Sequence, residues 1–597
     1  MKKKCVVILL VVSMLTGCSL KKDYISQNFK ITEYRDYLIA SEMSESLNYL
    51  VNNNDSETSV YANFVDGLVE NDNYGRIVNS LSQTTGQIDD NYSRWTFHLR
   101  EGLFWTNYNG DSTEYPIIAD DFVFAVEYIL DPANNSKYVS LITSIIAGAK
   151  EYYVAKLNGQ SPEFSTVGVK AVGNYAIEYT LTSSNLYFNS YLTSAAFYPL
   201  SRAFYYSLEE GSFATSVENI LYNGCYYLTS VTDSKINLEK NNSYWEEEKV
   251  TFEKLVYQIV DDEEEAAKLF KNGNLSTVHV SSDVAKSVFK DYTNYMYASS
   301  LDKTSYVLLS NFESDNSNFK LAINNLNFRK ALQYGFDRSL IMPVTETSHL
   351  NSSSSLIPQY YVVNSKNVDY TNFGSVNDLE KPSLYNEAEA IKYLEKAKEE
   401  LGNTVFPITI RVPISSKSEQ ELALIKNLNT AYSKVFGNST IEFVATEYTN
   451  AESIADGVTL TNSYDMILVG IDVDARDPYE YLKNFEQTGY LNTLYTHINN
   501  DLFFSFLNEA NSYTIMDNRY RALNECEAIL VKEGLVIPYS LGVVKYALSM
   551  VNDYSKPIGY YGIAYKKVKG YEVIARSISL DELKSYYEKY LAAAKEL

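Results

Sequence analysis

Histidines, cysteines and paired acids are the residues of this chain that could do chemistry, and most stand where they cannot act together. His98, His279, His349 and His497 are scattered, with no HExxH and no two at metal-ligand spacing. Neither GxSxG nor a GxxxxGKS or GxxxxGKT loop occurs, so the chain offers no nucleophile elbow and no phosphate cradle. Asp120/Asp121 and Asp261/Asp262 are carboxylate pairs. They sit at helix starts or on polar faces, and such pairs are too common to signify glycoside hydrolysis. One segment differs. Residues 464–481 read YDMILVGIDVDARDPYEY. Met466, Leu468 and Gly470 alternate with Ile467, Val469 and Ile471 as in a buried strand, which leads into a loop carrying Asp472, Asp474, Arg476 and Asp477. Such carboxylates can hold a cation without covalent chemistry. A charge-assisted hydrogen bond is worth about 1.5–3 kcal/mol, and a buried carboxylate rejects ligands that would leave it unpaired. Solvation, or pairing with Arg476, is the alternative for the same aspartates.

A loop of this kind needs a frame. In residues 94–132, Trp95, Phe97 and Leu99 alternate with Arg94, Thr96, His98 and Arg100, which predicts a half-buried strand. Asn109-Gly110-Asp111 makes a turn. Asp120 or Asp121 suits the cap of a helix whose buried face is Phe122, Val126, Ile129 and Leu130, and Asp131-Pro132 stops it. The pattern predicts a hairpin about Gly173-Asn174, a strand over Lys254–Val260 and a helix over 263–273. Further helices are expected at 327–341, from Asn386 through Ala397, at Glu419–Phe436 and at 519–532, with a strand through Ile408, Ile410 and Val412. Ser352 to Ser355 reads as a loop. Ser579-Leu580-Asp581-Glu582 is a capping box opening a helix to about Leu597, whose packing partner the sequence does not reveal.

At 597 residues the chain exceeds one core. Its net charge of −24, from 51 basic and 75 acidic residues, argues against nucleic acid. It does not argue for a cationic ligand, since surface carboxylates are mostly solvated. Fifty-four tyrosines suit a lined cleft or an exposed surface, or reflect compositional bias. The N-terminus has Lys2, Lys3 and Lys4 before an apolar run from Val6 to Leu15. At about 1.5 Å per residue that run reaches roughly half of a bilayer core of about 30 Å, so it is a signal segment and not a span. Leu15-Thr16-Gly17-Cys18 resembles the bacterial lipobox, which implies cleavage before Cys18 and lipid on its sulfur. Cys225 and Cys526 show no framework spacing and read as buried thiols.

Thr96-Phe97-His98-Leu99-Arg100, Gly102, Trp105, Gly110 and Ala119 through Val123 together resemble the signature of the peptide/nickel/opine class of solute-binding proteins of ABC importers, the oligopeptide-binding family. Asn63 to Leu68, Tyr74 to Ile77, Gly224-Cys225-Tyr226, Ile236 to Trp245, residues 327–341 and Leu535 to Tyr539 resemble further motifs of that family, in order. Asn79 and Cys225 stand where the family has Pro, and the C-terminal helix departs from it. The resemblance implies an α/β, two-lobed periplasmic-binding-protein-like fold of the large three-domain type, with mixed sheets flanked by helices and a hinge between lobes. It implies a signal peptide at 1–17 and a lipid-anchored tether at 18–30. Lobe 1 would be discontinuous, built from 31–60, 190–285 and 540–597, with a smaller domain at 61–189 attached to it and lobe 2 at 286–539.

The implied function is capture of oligopeptides by a lipid-anchored protein on the extracellular face of the cell membrane, for delivery to the transmembrane subunits of an ABC permease; the lipobox and the acidic chain suit a Gram-positive surface. No catalysis, metal, cofactor or nucleic acid is implied, and the protein is expected to be a monomer. Asp474 takes the place of the family's aspartate that pairs with the peptide N-terminal ammonium, with Asp472, Asp477 and Arg476 as neighbours. Other peptide contacts are expected near residues 40–70 and 420–500, and Tyr74, Trp105 and Tyr495 are either pocket walls or core. The alternatives are the same scaffold binding a nickel chelate, a glycan or a peptide signal, and a lipid-anchored extracellular hydrolase.

Overall fold

The computed structural model describes residues 24–26, 31–42, 46–299, 304–340, 353–358, 361–363, 368–372, 374–380, 384–402, 406–416, 418–449, 453–454, 457–458, 463–473, 475–541, 545–574 and 576–594. Cys18 and Asp474 lie outside them.

The first large core forms around a four-stranded mixed sheet. Tyr34–Ile39 runs parallel to Lys254–Val260, which pairs antiparallel with Lys235–Lys240, itself antiparallel to Tyr226–Thr232. A second, antiparallel sheet belongs to the same core, ordered Gln87–Ile88, Arg94–His98, Ala176–Thr180, Val169–Ala171. Trp95, Phe97 and Leu99 are buried and Arg94 and His98 exposed, as the alternation requires. The adjoining helix, Ala119–Ile129, buries Phe122, Val126 and Ile129. Its start differs from the expected cap. Ile118 occupies the N-cap, and Asp121, inside the first turn, reaches back to accept the Ile118 amide at 3.2 Å and the Trp105 indole Nε1–H at 2.9 Å. Asp120 instead accepts from Arg202 Nε at 2.7 Å. Burial pushes the Asp121 carboxyl up to about 7, against the pull of Trp105.

The family-like motifs of this lobe converge on a buried ionic cluster. Lys567 Nζ lies 2.8 Å from Asp66 and 2.5 Å from Glu70, and Lys569 Nζ lies 2.5 Å from Glu70 and 2.7 Å from Glu246. Tyr244 donates to Asp66 at 2.8 Å, and the Arg100 guanidinium sits 3.9 Å from the Trp245 ring centroid. Taking these charges out of water is costly unless each is paired. Burial opposes ionisation of Glu70, but the two lysines outweigh it and lower its pKa. Cys225 packs where a Cβ on Gly224 would come within 2.6 Å of the Phe64 backbone, so the chain passes too close for any residue but glycine at 224. Burial pushes the Cys225 thiol up to about 12, and Cys526 is likewise a buried free thiol.

The second large core surrounds Ser305–Ser310, flanked on both sides by antiparallel partners, Met466–Ile471 and Val536–Leu541. Beside it, Ile408–Ser415 and Ile441–Tyr448 run parallel, joined through the helix Glu419–Phe436. The chain crosses between the two cores through a small sheet, Thr277–Val280, Lys545–Ser549 and Tyr297–Ser299, with its own core of Phe270, Val278, Phe289 and Leu548. The result is a two-lobed α/β fold. Many of the tyrosines fill its interior: Tyr61, Tyr179, Tyr222, Tyr361, Tyr432 and Tyr481 are among the largest fully buried side chains.

The C-terminal helix, Leu580–Ala594, opens on the expected capping box. The Ser579 amide donates to Glu582 at 2.9 Å, and Arg576 holds that carboxyl down at about 2. The helix lies on the surface, its Tyr590 ring stacked on Tyr74 at 5.0 Å and Tyr587 and Tyr590 both 5.4 Å from Tyr554.

Candidate ligand-binding site

Met466–Ile471 is an edge strand. One side pairs with Ser305–Ser310 in continuous register, from Ser310 opposite Met466 to Ser305 opposite Ile471. On the other side, among the described residues, only its entrance is held, where the Asp465 amide donates to Arg411 O at 3.0 Å. Beyond that point the strand faces a cavity of about 370 Å³ lined by residues 467–472 with Glu421, Ile454, Asn484, Tyr490, Leu491 and Tyr495. The alternation predicted a buried strand. Met466 and Ile467 are buried, but Leu468 and Val469 are only half-buried and Gly470 is exposed, because the edge opens onto this cavity. An exposed edge presents unpaired backbone donors and acceptors, which an extended chain can satisfy as an added strand.

The acidic loop that follows divides its charges. Asp472 is exposed and lines the cavity. Asp474, the residue matched to ammonium recognition, lies outside the described residues. Asp477 is wholly buried and committed to an internal cation: Arg519 reaches it through Nε at 3.0 Å and Nη2 at 3.2 Å. The Tyr187 and Tyr479 ring centroids lie 5.5 and 5.4 Å from the Arg519 guanidinium. Arg476 is engaged by Tyr361 and by Ser190. Its Nε donates to Tyr361 O at 3.0 Å, and its amide donates to Ser190 Oγ at 3.0 Å. Tyr191 donates to buried Glu480 at 3.1 Å, and Lys483 Nζ is 2.8 Å from the same carboxylate. Ser190 and Tyr191 come from the first lobe, so the loop is pinned across the two lobes just after it leaves the cavity.

Of the aromatic residues singled out from sequence, Tyr495 lines the cavity, Trp105 is core and Tyr74 meets the C-terminal helix. Glu421 and Tyr490 escaped notice, since each looks like an ordinary surface residue of its own helix or turn. His98 and His497 are exposed, while His349 lies outside the described residues. Among the described residues no group of His, Cys, Asp and Glu is arranged to hold a metal, and no helix is long and apolar enough to cross a membrane.

Comparison with known proteins agrees with this geometry. The oligopeptide-binding protein AliB of Streptococcus pneumoniae is 26% identical over 94% of this chain and 92% of its own length. The periplasmic murein tripeptide-binding protein MppA, in its unliganded open form, superimposes with a TM-score of 0.74 at 19% identity, covering 92% of this chain and 99% of that one. The peptide-bound OppA of Listeria monocytogenes gives a TM-score of 0.58 at 20% identity, over 91% and 99%. Residues 76–492 match the model described as bacterial extracellular solute-binding proteins, family 5 Middle. The chain, two-lobed and with an open sheet edge beside its interlobe loop, belongs to that family of extracellular solute-binding proteins.

Proposed function

We propose that this protein captures oligopeptides outside the cell and passes them to the transmembrane subunits of an ABC permease, held at the membrane by lipid on Cys18. The observation that carries the reading is the outer edge of Met466–Ile471, unpaired among the described residues, beside its cavity. An extended peptide recognised through its backbone needs such an edge, and it tolerates many side chains because every residue supplies the same backbone groups. Asp474, three residues beyond the strand, is the proposed partner of the peptide ammonium, with Asp472 near it. The similarity to AliB and the lipobox-like Leu15 to Cys18 support the substrate class and the anchor. The lobes we propose are 31–60, 190–285 and 540–597, with 61–189 attached, against 286–539. No reacting group is needed: ligand stabilises the closed arrangement, and the closed arrangement docks on the permease.

The test is to purify the soluble form from about residue 22 under native conditions, denature it, and identify what it released by mass spectrometry. Peptides of a few residues are the expected result. A sugar or a metal chelate overturns the peptide reading and the role of Asp474 with it. A single peptide species narrows the role to that of a signal receptor.

A further inference from the structure

The cavity beside Met466–Ile471 is acidic, and the described cations that flank its strand and loop, Arg411, Arg476 and Lys483, are occupied elsewhere. Glu421 and Asp472 line it, and among the described residues no Lys or Arg does. Lys483, next to the lining residue Asn484, is bound to Glu480 at 2.8 Å. Arg476 donates to Tyr361 O, and Arg411, at the strand entrance, grips Asp465 at 3.0 and 2.9 Å. Residues 437–475 contain Glu442, Glu447, Glu452, Asp456, Asp465, Asp472 and Asp474 and no Lys or Arg at all. The basic residue nearest Glu421 in sequence, Lys417, lies outside the described residues.

Glu421 is held in place. Its Oε2 accepts the Ser415 amide at 2.7 Å, and its own amide donates to Ser418 Oγ at 3.2 Å, so the carboxylate is fixed at the cavity wall by a neutral donor. The same cavity is lined by Tyr490, 63% exposed, and Tyr495, their rings edge to face at 6.3 Å. Aromatic faces attract a cation, and carboxylates attract it more strongly when partly desolvated. At about 370 Å³ the space is at the small end of ligand pockets, roughly 300–1,000 Å³, and suits one or two side chains better than a whole peptide.

We propose that this cavity is a pocket for a basic side chain, Lys or Arg, of the bound peptide, with Glu421 as its specificity-determining residue and Asp472 contributing at its rim. The inference rests on the peptide reading above and adds the preferred ligand class.

The experiment uses two sets of hexapeptides, alanine throughout except for one Lys or one norleucine placed in turn at positions 2 to 5. Affinities are measured by titration calorimetry on the purified protein, freed of endogenous ligand by denaturation and refolding and checked by circular dichroism. At one position or more, Lys is expected to bind about tenfold tighter than norleucine. Glu421→Gln keeps an acceptor for the Ser415 amide and is expected to bring that ratio close to one by weakening the Lys peptides; Asp472→Asn is expected to reduce it in part. Binding of all peptides with no preference for Lys at any position overturns the inference and leaves the peptide reading standing. A preference that survives both variants overturns the assignment to this cavity. If none of the peptides binds, the peptide reading fails and this inference falls with it.

Discussion

Asp477 and Asp474 are three residues apart, yet their replacement has opposite expected outcomes. Asp477 neutralises Arg519, whose side chain is 7% exposed. Removing one partner of a buried pair costs about 3–5 kcal/mol, because the other charge stays desolvated. Asp477→Ala is therefore expected to lower the thermal midpoint clearly in scanning calorimetry. Asp474→Ala is expected to leave that midpoint unchanged and to weaken free-amine peptides by about tenfold or more, tenfold being about 1.4 kcal/mol; unchanged affinity would sink the ammonium role. Buried carboxyls also set a pH dependence. Burial raises Asp121 and Glu527 each to about 7, Glu527 despite hydrogen bonds from Ser355 and the amides of Leu356 and Ile357. A folded-state pKa above the unfolded one gives stability that is full below the unfolded value, near 4, and lost as pH rises towards 7. The variant Asp121→Asn with Glu527→Gln should remove that loss. Its thermal midpoint should fall less than the parent's between pH 4 and 7, and parallel curves would count against the two carboxyls.

Among the elements, the C-terminal helix is the most open to test. None of its residues is buried, and its Tyr587 and Tyr590 meet the fold through the aromatic contacts with Tyr74 and Tyr554. An aromatic pair is worth about 0.5–1.5 kcal/mol beyond its area. Tyr590→Ala is expected to cause a small fall in midpoint with peptide affinity unchanged; a large loss of affinity would place the helix in the binding machinery. The edge strand is the opposite case. Its worth to the fold comes from one paired side, and its worth to a ligand from the side left open. The loop after it carries both loads: its buried acids, Asp477 and Glu480, bind internal cations, and Asp472 lines the cavity.

For the whole molecule the decisive property is the relation between lobes. The loop 475–480 touches the first lobe through Ser190 and Tyr191, and the small sheet carrying Lys545–Ser549 is the return crossing. A ligand that stabilises one arrangement must bind that arrangement better, since equal affinity shifts nothing. The radius of gyration from small-angle X-ray scattering is thus expected to fall when a bound peptide is added to the emptied protein. An unchanged radius with bound peptide would mean that capture does not proceed by closure.

Much of this was legible in the residue order. The strand Lys254–Val260 and the helix Glu419–Phe436 appear at their expected limits, because period-2 and period-3.6 burial are local signals carried by neighbouring residues. Motif order pointed to the family for the same reason. The start of the helix at Ala119 was less legible, since Asp121 acts there through Trp105 on a separate strand. What the motifs are for was not legible at all. Asp66, Tyr244 and Trp245 serve a buried cluster completed by Lys567 and Lys569, hundreds of positions later. In the acidic loop, composition could not say which aspartate faces inward, because the answer is Arg519, 42 positions away. The sequence by itself determined most of these elements and the family, both written in local pattern. Only the tertiary structure decided which charges are spent on each other and which face the cavity. Pairing depends on separation in space and on loss of water, and neither is encoded by neighbours along the chain.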